Sequence, residues 1–327
     1  MNRGPTFRVF CTACGCALSD GFQAFCPECE GMSDVEYDLA RVVIHQSCNP
    51  FVRFRELMPI ADSSLLPTNA RFTPTIHAKR LGSEIGLPWL YLKNETCLPT
   101  GTTKDRMAAV ALAYLHECGV RGFATSSTGN SSTAYAHAIH RLPNLVMYLF
   151  TASQFVDRVD AGDTEQVIHF VLRDATFVEA FEAARVYAEQ HDLVPERGFF
   201  NPARREGLKL AWLEAAEQVP QPIDCYVQAV SSAMGVYGVF KGAQQLHALG
   251  RTQRIPRLMC VQQETCAPMV AAWKEGSEQI EPRHIVRKPT GIAQAILRGN
   301  PSRAYPHVRR IVIESGGQFV AVSESEI

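Results

Sequence analysis

Long apolar runs are missing from this chain of 327 residues. No window approaches the about 18 consecutive apolar residues that a spanning helix needs, so a helical membrane protein is excluded. The opening stretch, MNRGPTFRVFCTACG, has no apolar core and no small-residue cleavage pattern; no leader is expected, and the expected location is cytoplasmic. A surplus of one charge is missing too. With 32 basic against 33 acidic residues the chain offers a polyanion no global field, and nucleic acid is not an expected partner. There is no internal repeat and no low-complexity tract. The even cysteine count of a disulfide framework is also absent: there are 11 cysteines, and those at 11, 14, 16, 26 and 29 crowd into one short segment. That is the distribution of a metal site in a reducing compartment. What is present, 46% hydrophobic and 20% charged residues, describes a soluble globular protein with either one large α/β unit or two lobes and a small module.

The segment CTACGCALSDGFQAFCPECEG pairs Cys11 and Cys14 with Cys26 and Cys29 as two C-x-x-C knuckles. Each knuckle wraps a tight turn that points both sulfurs at one ion, and four thiolates suit tetrahedral Zn²⁺. Cys16 falls outside this symmetric spacing and is expected to be free. With all four positions taken by protein sulfur, no place is left for substrate or water, so the metal is expected to be structural. Residues 1–31 carry Arg3 and Arg8 against Asp20, Glu28 and Glu30, which is the wrong sign for a nucleic-acid-binding ribbon.

From about residue 90 the chain alternates short apolar runs with helical patterns, the signature of open, mostly parallel sheets covered by helices. Ligands of such folds lie beyond the carboxyl ends of the strands, and three loops there are unusual. In PTGTTKDR, Lys104 sits where a helix from about Thr103 to Cys118 begins; Met107, Val110, Ala111, Tyr114, Leu115 and Cys118 mark its apolar stripe, Thr102 or Thr103 its cap and Gly119 its end. A lysine in the first turn is opposed by the helix dipole, which lowers its pKa, and its small neighbours admit a flat ring. The loop TSSTGNSS, Thr125 to Ser132, gathers hydroxyls and free N–H groups suited to a carboxylate or phosphate. AVSSAMGVYGVFKG, with Ser231, Ser232, Gly235 and Gly238, has the form of a second anion cradle; it lacks the lysine ending of a nucleotide P-loop. His137 and His140, three apart on a helix, have no ligand-type neighbours and read as packing or surface residues.

Together these loops resemble the pyridoxal-phosphate enzymes of the tryptophan synthase β fold, and among them the threonine synthase branch that includes the cysteate synthases. The likeness runs from about residue 50 to the end, with FNPARREGLK, LMCVQQETCAPMVAAWKEG and GIAQAILRGNP as further landmarks. It implies a two-lobed α/β catalytic domain over 36–327, with a smaller lobe at about 95–195 inserted in the larger one, preceded by a zinc ribbon over 1–35. It also implies that Lys104 forms the Schiff base with pyridoxal phosphate and that Asn130 meets the cofactor's phenolic oxygen. Ser231, Ser232, Ala233, Met234 and Gly235 would hold the phosphate, and Ser127, Thr128, Gly129 and Ser131 the substrate carboxylate. Arg106 and Arg204, with Lys93 and Arg205, are candidates for a substrate phosphate, although ARRE also reads as a surface ion-pair cluster.

Two departures stand out. Ser231 and Ala233 occupy positions where relatives carry glycine, so the cradle is expected to be tighter or to take another backbone path. The chain also ends at Ile327, where relatives continue into a helix and a strand that meet the pyridine nitrogen; the expectation is that the end of the larger lobe is missing. The resemblance implies elimination and replacement on a phosphorylated amino acid, O-phosphoserine or O-phosphohomoserine, by a cytoplasmic homodimer of amino-acid biosynthesis. A dehydratase or deaminase of the same fold and a catalytically silent partner protein are the alternatives.

Overall fold

The structure is a computed structural model that describes residues 6–18 and 21–327. Arg3 and Asp20, counted above in the ribbon charge, lie outside the described residues. The chain divides into two compact units, Met1–Glu214 and Ala215–Ile327.

The first unit opens with an antiparallel pair, β1 (Phe7–Cys11) and β2 (Ser33–Tyr37), in which Phe7 faces Tyr37 and Cys11 faces Ser33. A second antiparallel pair joins β3 (Thr75–His77) to β4 (Tyr91–Lys93). The segment at about residue 90, where the parallel alternation was expected to begin, therefore belongs to a separate antiparallel hairpin. That sheet is parallel and four-stranded, β5 (Gly122–Ser126), β6 (Val146–Ala152), β7 (Val167–Leu172) and β8 (Val194–Pro195), in the order β7-β6-β5-β8. Helix Phe177–Gln190 packs Ala184 and Ala188 on Ala124 and Phe150, and begins with a capping box between Thr176 and Glu179.

At the centre of this unit runs the helix Lys104–Glu117. The expected amphipathic stripe is present, but every residue from Arg106 to Leu115 is buried. The reason lies between the stripe positions: Ala108, Ala109 and Ala113 are small and apolar, so no polar face exists until His116, and a helix apolar all round belongs inside a core. Full burial of Met107, Leu112 and Leu115 contributes about 1.5–3 kcal/mol each. Helix Pro202–Leu208 crosses it at close range through Gly207, where an added Cβ would lie 2.6 Å from the Arg106 carbonyl oxygen and 2.9 Å from the Met107 Cα.

The second unit is a three-stranded parallel sheet, β9 (Cys225–Ala229), β10 (Arg257–Gln263) and β11 (Gln318–Val322), ordered β11-β10-β9. Its helices are Met234–Ala248, Pro268–Lys274 and Tyr305–Glu314. The rings of Trp273 and Tyr305 both pack on Phe319, which places the core of this unit over β11. Among the described residues, no helix is long and apolar enough to cross a membrane.

Candidate active site

The amino-terminal knuckles converge as their spacing requires. The sulfurs of Cys11, Cys14, Cys26 and Cys29 all lie within 4.8 Å of one another, with Cys11 to Cys29 at 3.4 Å and Cys14 to Cys26 at 3.8 Å. Zinc–sulfur bonds of about 2.3 Å in a tetrahedron set sulfurs about 3.8 Å apart, so the four thiols fit a structural Zn²⁺. Gly31 leaves the room: a Cβ there would meet the Cys11 sulfur at 2.5 Å. Cys16 is a free thiol, as expected, but it sits beside the cluster. Its sulfur lies 3.3 Å from that of Cys14 and 3.4 Å from that of Cys26.

Buried polar contacts tie this ribbon to helix Pro202–Leu208. Tyr37 donates from its hydroxyl to Glu206 at 2.8 Å, Lys209 pairs with Glu206 and lies over the Tyr37 ring, and Arg205 donates to the Ser33 carbonyl at 2.5 Å. Phe25 packs in a tilted arrangement against Phe200, with ring centroids 4.8 Å apart. The ARRE cluster is therefore interior, not a surface ion-pair cluster, and Arg205 is committed to the ribbon and to the Phe199 carbonyl.

Lys104 is the first residue of its helix; Thr103 holds the N-cap position without a side-chain cap bond, and the Thr102 hydroxyl accepts the Lys104 backbone N–H at 3.3 Å. Asp105 turns back to accept from the Thr100 N–H and hydroxyl at 2.8 and 2.9 Å, which pins the loop. The Lys104 ammonium has no hydrogen-bond or ion-pair partner among the described residues. Burial, with the positive charge of Arg204 as a second cause, lowers its pKa from 10.5 to about 8. At pH 7 that leaves about a tenth of the amine free of its proton, against a few parts in ten thousand for an ordinary lysine.

Arg204 links Lys104 to the second loop. Its guanidinium donates to the Ser131 hydroxyl at 2.8 Å and to the buried Glu196 carboxylate at 2.7 Å, and its Nε is buried without a partner. Glu196 also accepts from Tyr135 at 2.8 Å and Asn201 at 3.1 Å. Nothing in the sequence near Glu196 marks it; only the fold brings it under Arg204. Within the loop, the Ser127 hydroxyl accepts from the N–H groups of Gly129 and Ser132, and Asn130 opens helix Asn130–Ile139 with an exposed side chain that has no hydrogen-bond partner among the described residues. Gly129 must be glycine: its φ is 142°, and a Cβ would lie 2.7 Å from the Arg158 carbonyl oxygen. The structure thus gathers Lys104, Ser127–Ser131 and Arg204 in one unit.

It does not leave Arg106 open to a ligand. Arg106 is 1% exposed and donates to Glu95, Glu214 and Thr73, at 2.7 Å to Glu95 and 2.5 Å to Glu214. Lys93 joins the same cluster, 2.6 Å from Glu214. The expectation that Arg106 touches substrate gives way to a scaffold role, because the buried Glu214 carboxylate and the half-buried Glu95 carboxylate beside it demand its charge.

In the second unit, Ala233 adopts the left-handed conformation at φ 58°, ψ 26°, immediately before helix Met234–Ala248, and no side chain caps that helix. Alanine there supplies the backbone path that glycine takes more readily, at a cost of about 1–2 kcal/mol. The uncapped N–H groups that follow Ser231, Ser232 and Ala233 form a cradle for an anion. Taken each by itself, the unpartnered, low-pKa amine of the first unit suits an aldehyde and the uncapped helix start of the second unit suits a phosphate.

Comparison with known proteins adds independent findings. The family described as pyridoxal-phosphate dependent enzyme matches residues 66–327. The chain is 29% identical to a threonine synthase of Methanosarcina acetivorans, over 98% of this chain and 80% of that one. It is 27% identical to a cysteate synthase of Methanocorpusculum labreanum, over 88% and 70% of the two chains. Among solved structures, maize serine racemase superposes with a TM-score of 0.63 at 20% identity, covering 78% of this chain and 74% of that one, a likeness of fold alone.

Proposed function

The chain belongs to the family of pyridoxal-phosphate dependent enzymes, and from that premise we propose that it acts on a phosphorylated amino acid by elimination and replacement, in the manner of threonine synthase or cysteate synthase. The observation that carries this reading is the Lys104 amine, unpartnered and lowered to about pH 8 at the start of a buried helix. Lys104 is the residue that would hold the cofactor's aldehyde, and its free amine would be the base that takes the Cα proton. Bound pyridoxal phosphate supplies an electron sink for the carbanion this leaves. The start of helix Asn130–Ile139, with Ser127, Thr128, Gly129 and Ser131, receives the substrate carboxylate, and Asn130 the phenolic oxygen of the ring. Residues Ser231–Gly235 receive the cofactor's phosphate. Arg204, held by Glu196 and already donating to Ser131, orients that hydroxyl and adds positive charge to the carboxylate subsite.

In the same reading, residues 1–35 are a ribbon that holds a structural zinc at Cys11, Cys14, Cys26 and Cys29. Residues 36–327 are the catalytic domain, with 95–195 as its smaller lobe, and the working form is a cytoplasmic homodimer. The two named relatives differ in the replacement step, so the test is product analysis. Incubation with O-phosphoserine or O-phosphohomoserine, each with water, sulfite or sulfide, is expected to release phosphate with a new amino acid from one pair. No phosphate release from either donor by cofactor-loaded protein refutes the proposal.

A further inference from the structure

Zinc needs four sulfurs, and the ribbon brings five together. Cys16, Cys14 and Cys26 form a triangle with sulfur separations of 3.3, 3.4 and 3.8 Å. The position of Cys16 is fixed by the knuckle itself: Cys11 donates its N–H to the Cys16 carbonyl at 2.9 Å, and the adjacent Ala17 bridges to Phe10 of β1. Cys14 is exposed and Cys16 partly so, which leaves both within reach of a small oxidant, while Cys26 is buried.

We propose that Cys16 is a thiol-oxidation site that forms a disulfide with Cys14 or Cys26 and so removes one ligand from the metal cage. A peroxide converts one of these thiolates to a sulfenic acid, releasing hydroxide. A neighbouring thiol of the triangle then attacks the oxidised sulfur; the sulfur–oxygen bond breaks, a sulfur–sulfur bond forms, and water leaves. Two electrons have passed from the thiols to the peroxide, and the ion is left with three sulfurs. A thiol reductant reverses the exchange. Only the metal release rests on the zinc reading above; the disulfide does not.

The test uses the full-length protein treated with hydrogen peroxide while a zinc-sensitive dye reports release, followed by alkylation and peptide mass mapping. Cleavage before Asp20 separates Cys16 from Cys26, and fragmentation of a linked peptide pair, or of an amino-terminal peptide lighter by two hydrogens, distinguishes a bond at Cys16 from one at Cys11 or Cys14 and a bond to Cys26 from one to Cys29. The expected result is zinc release together with a Cys16 disulfide, both reversed by dithiothreitol and added zinc. Cys16→Ser is expected to carry the same zinc before treatment, to lose this disulfide and to release metal more slowly; Cys16→Ala serves as the second variant if the hydroxyl disturbs the knuckle. Wild-type protein that releases zinc with Cys16 still open to alkylation overturns the proposal, as does release from both variants at the wild-type rate. Protein that arrives without zinc still decides it through the mapping: a Cys16 disulfide supports it, and a reduced Cys16 overturns it.

Discussion

Replacing Lys104 with methionine removes an amine that the fold disfavours in its charged form. The folded pKa is about 8 against an ordinary 10.5, so the folded state holds fewer protons than the unfolded state between those values, and the penalty for the charge is fully present below about pH 8. At 1.36 kcal/mol per pKa unit that difference amounts to about 3 kcal/mol, and the residue's remaining solvent contact trims it to about 1–3 kcal/mol. Methionine keeps the length of the chain and none of the charge. Urea unfolding of cofactor-free Lys104→Met protein at pH 7 is therefore expected to show higher stability than wild type by that amount. The gap is expected to narrow as pH rises through 8 and to close above 10.5, where wild-type lysine is neutral in both states. An equal or lower stability of the variant at pH 7, or a gap that does not narrow with pH, refutes the argument that burial and Arg204 tune this amine.

The remaining predictions concern the scaffold. Arg106→Ala leaves the buried Glu214 and the half-buried Glu95 without their shared partner and is expected to cost about 3–5 kcal/mol in urea unfolding, a loss seen equally with and without substrate. Gly207→Ala forces the two crossing helices apart, with an expected cost of about 1–3 kcal/mol and a lower melting temperature. Zinc removal by a chelator, or Cys29→Ser, is expected to expose residues 6–37 to proteolysis, because the segment has little core besides its metal; metal analysis and cleavage mapping check both.

The parts of this protein that sequence made legible are those governed by local chemistry. The knuckle spacing alone placed four sulfurs around one point, and the period of Met107, Val110, Ala111 and Leu115 set the Lys104 helix to within a residue at each end. Of the short apolar runs that alternate with helical patterns beyond residue 90, GFATSS, LVMYLF and CYVQAV all contain strands. What stayed illegible depends on pairs far apart in the chain. Arg106 and Arg204 both read as candidates for a substrate phosphate; Glu214 lies 108 residues from the first, while Glu196 is separated from the second by a change of element, the short helix Gly198–Phe200. Cys16 looked surplus because spacing counts residues along the chain, whereas the turn that returns it to Cys14 and Cys26 is three-dimensional. Ala233 looked wrong for a cradle, yet its left-handed backbone supplies what a glycine would.

The central claim is that the Lys104 amine captures pyridoxal phosphate. Wild-type protein loaded with the cofactor, reduced with borohydride and digested is expected to yield one modified peptide, carrying the added mass on Lys104, and Lys104→Ala protein is expected to yield none. Covalent capture at another lysine, or undiminished capture by the alanine variant, contradicts the account.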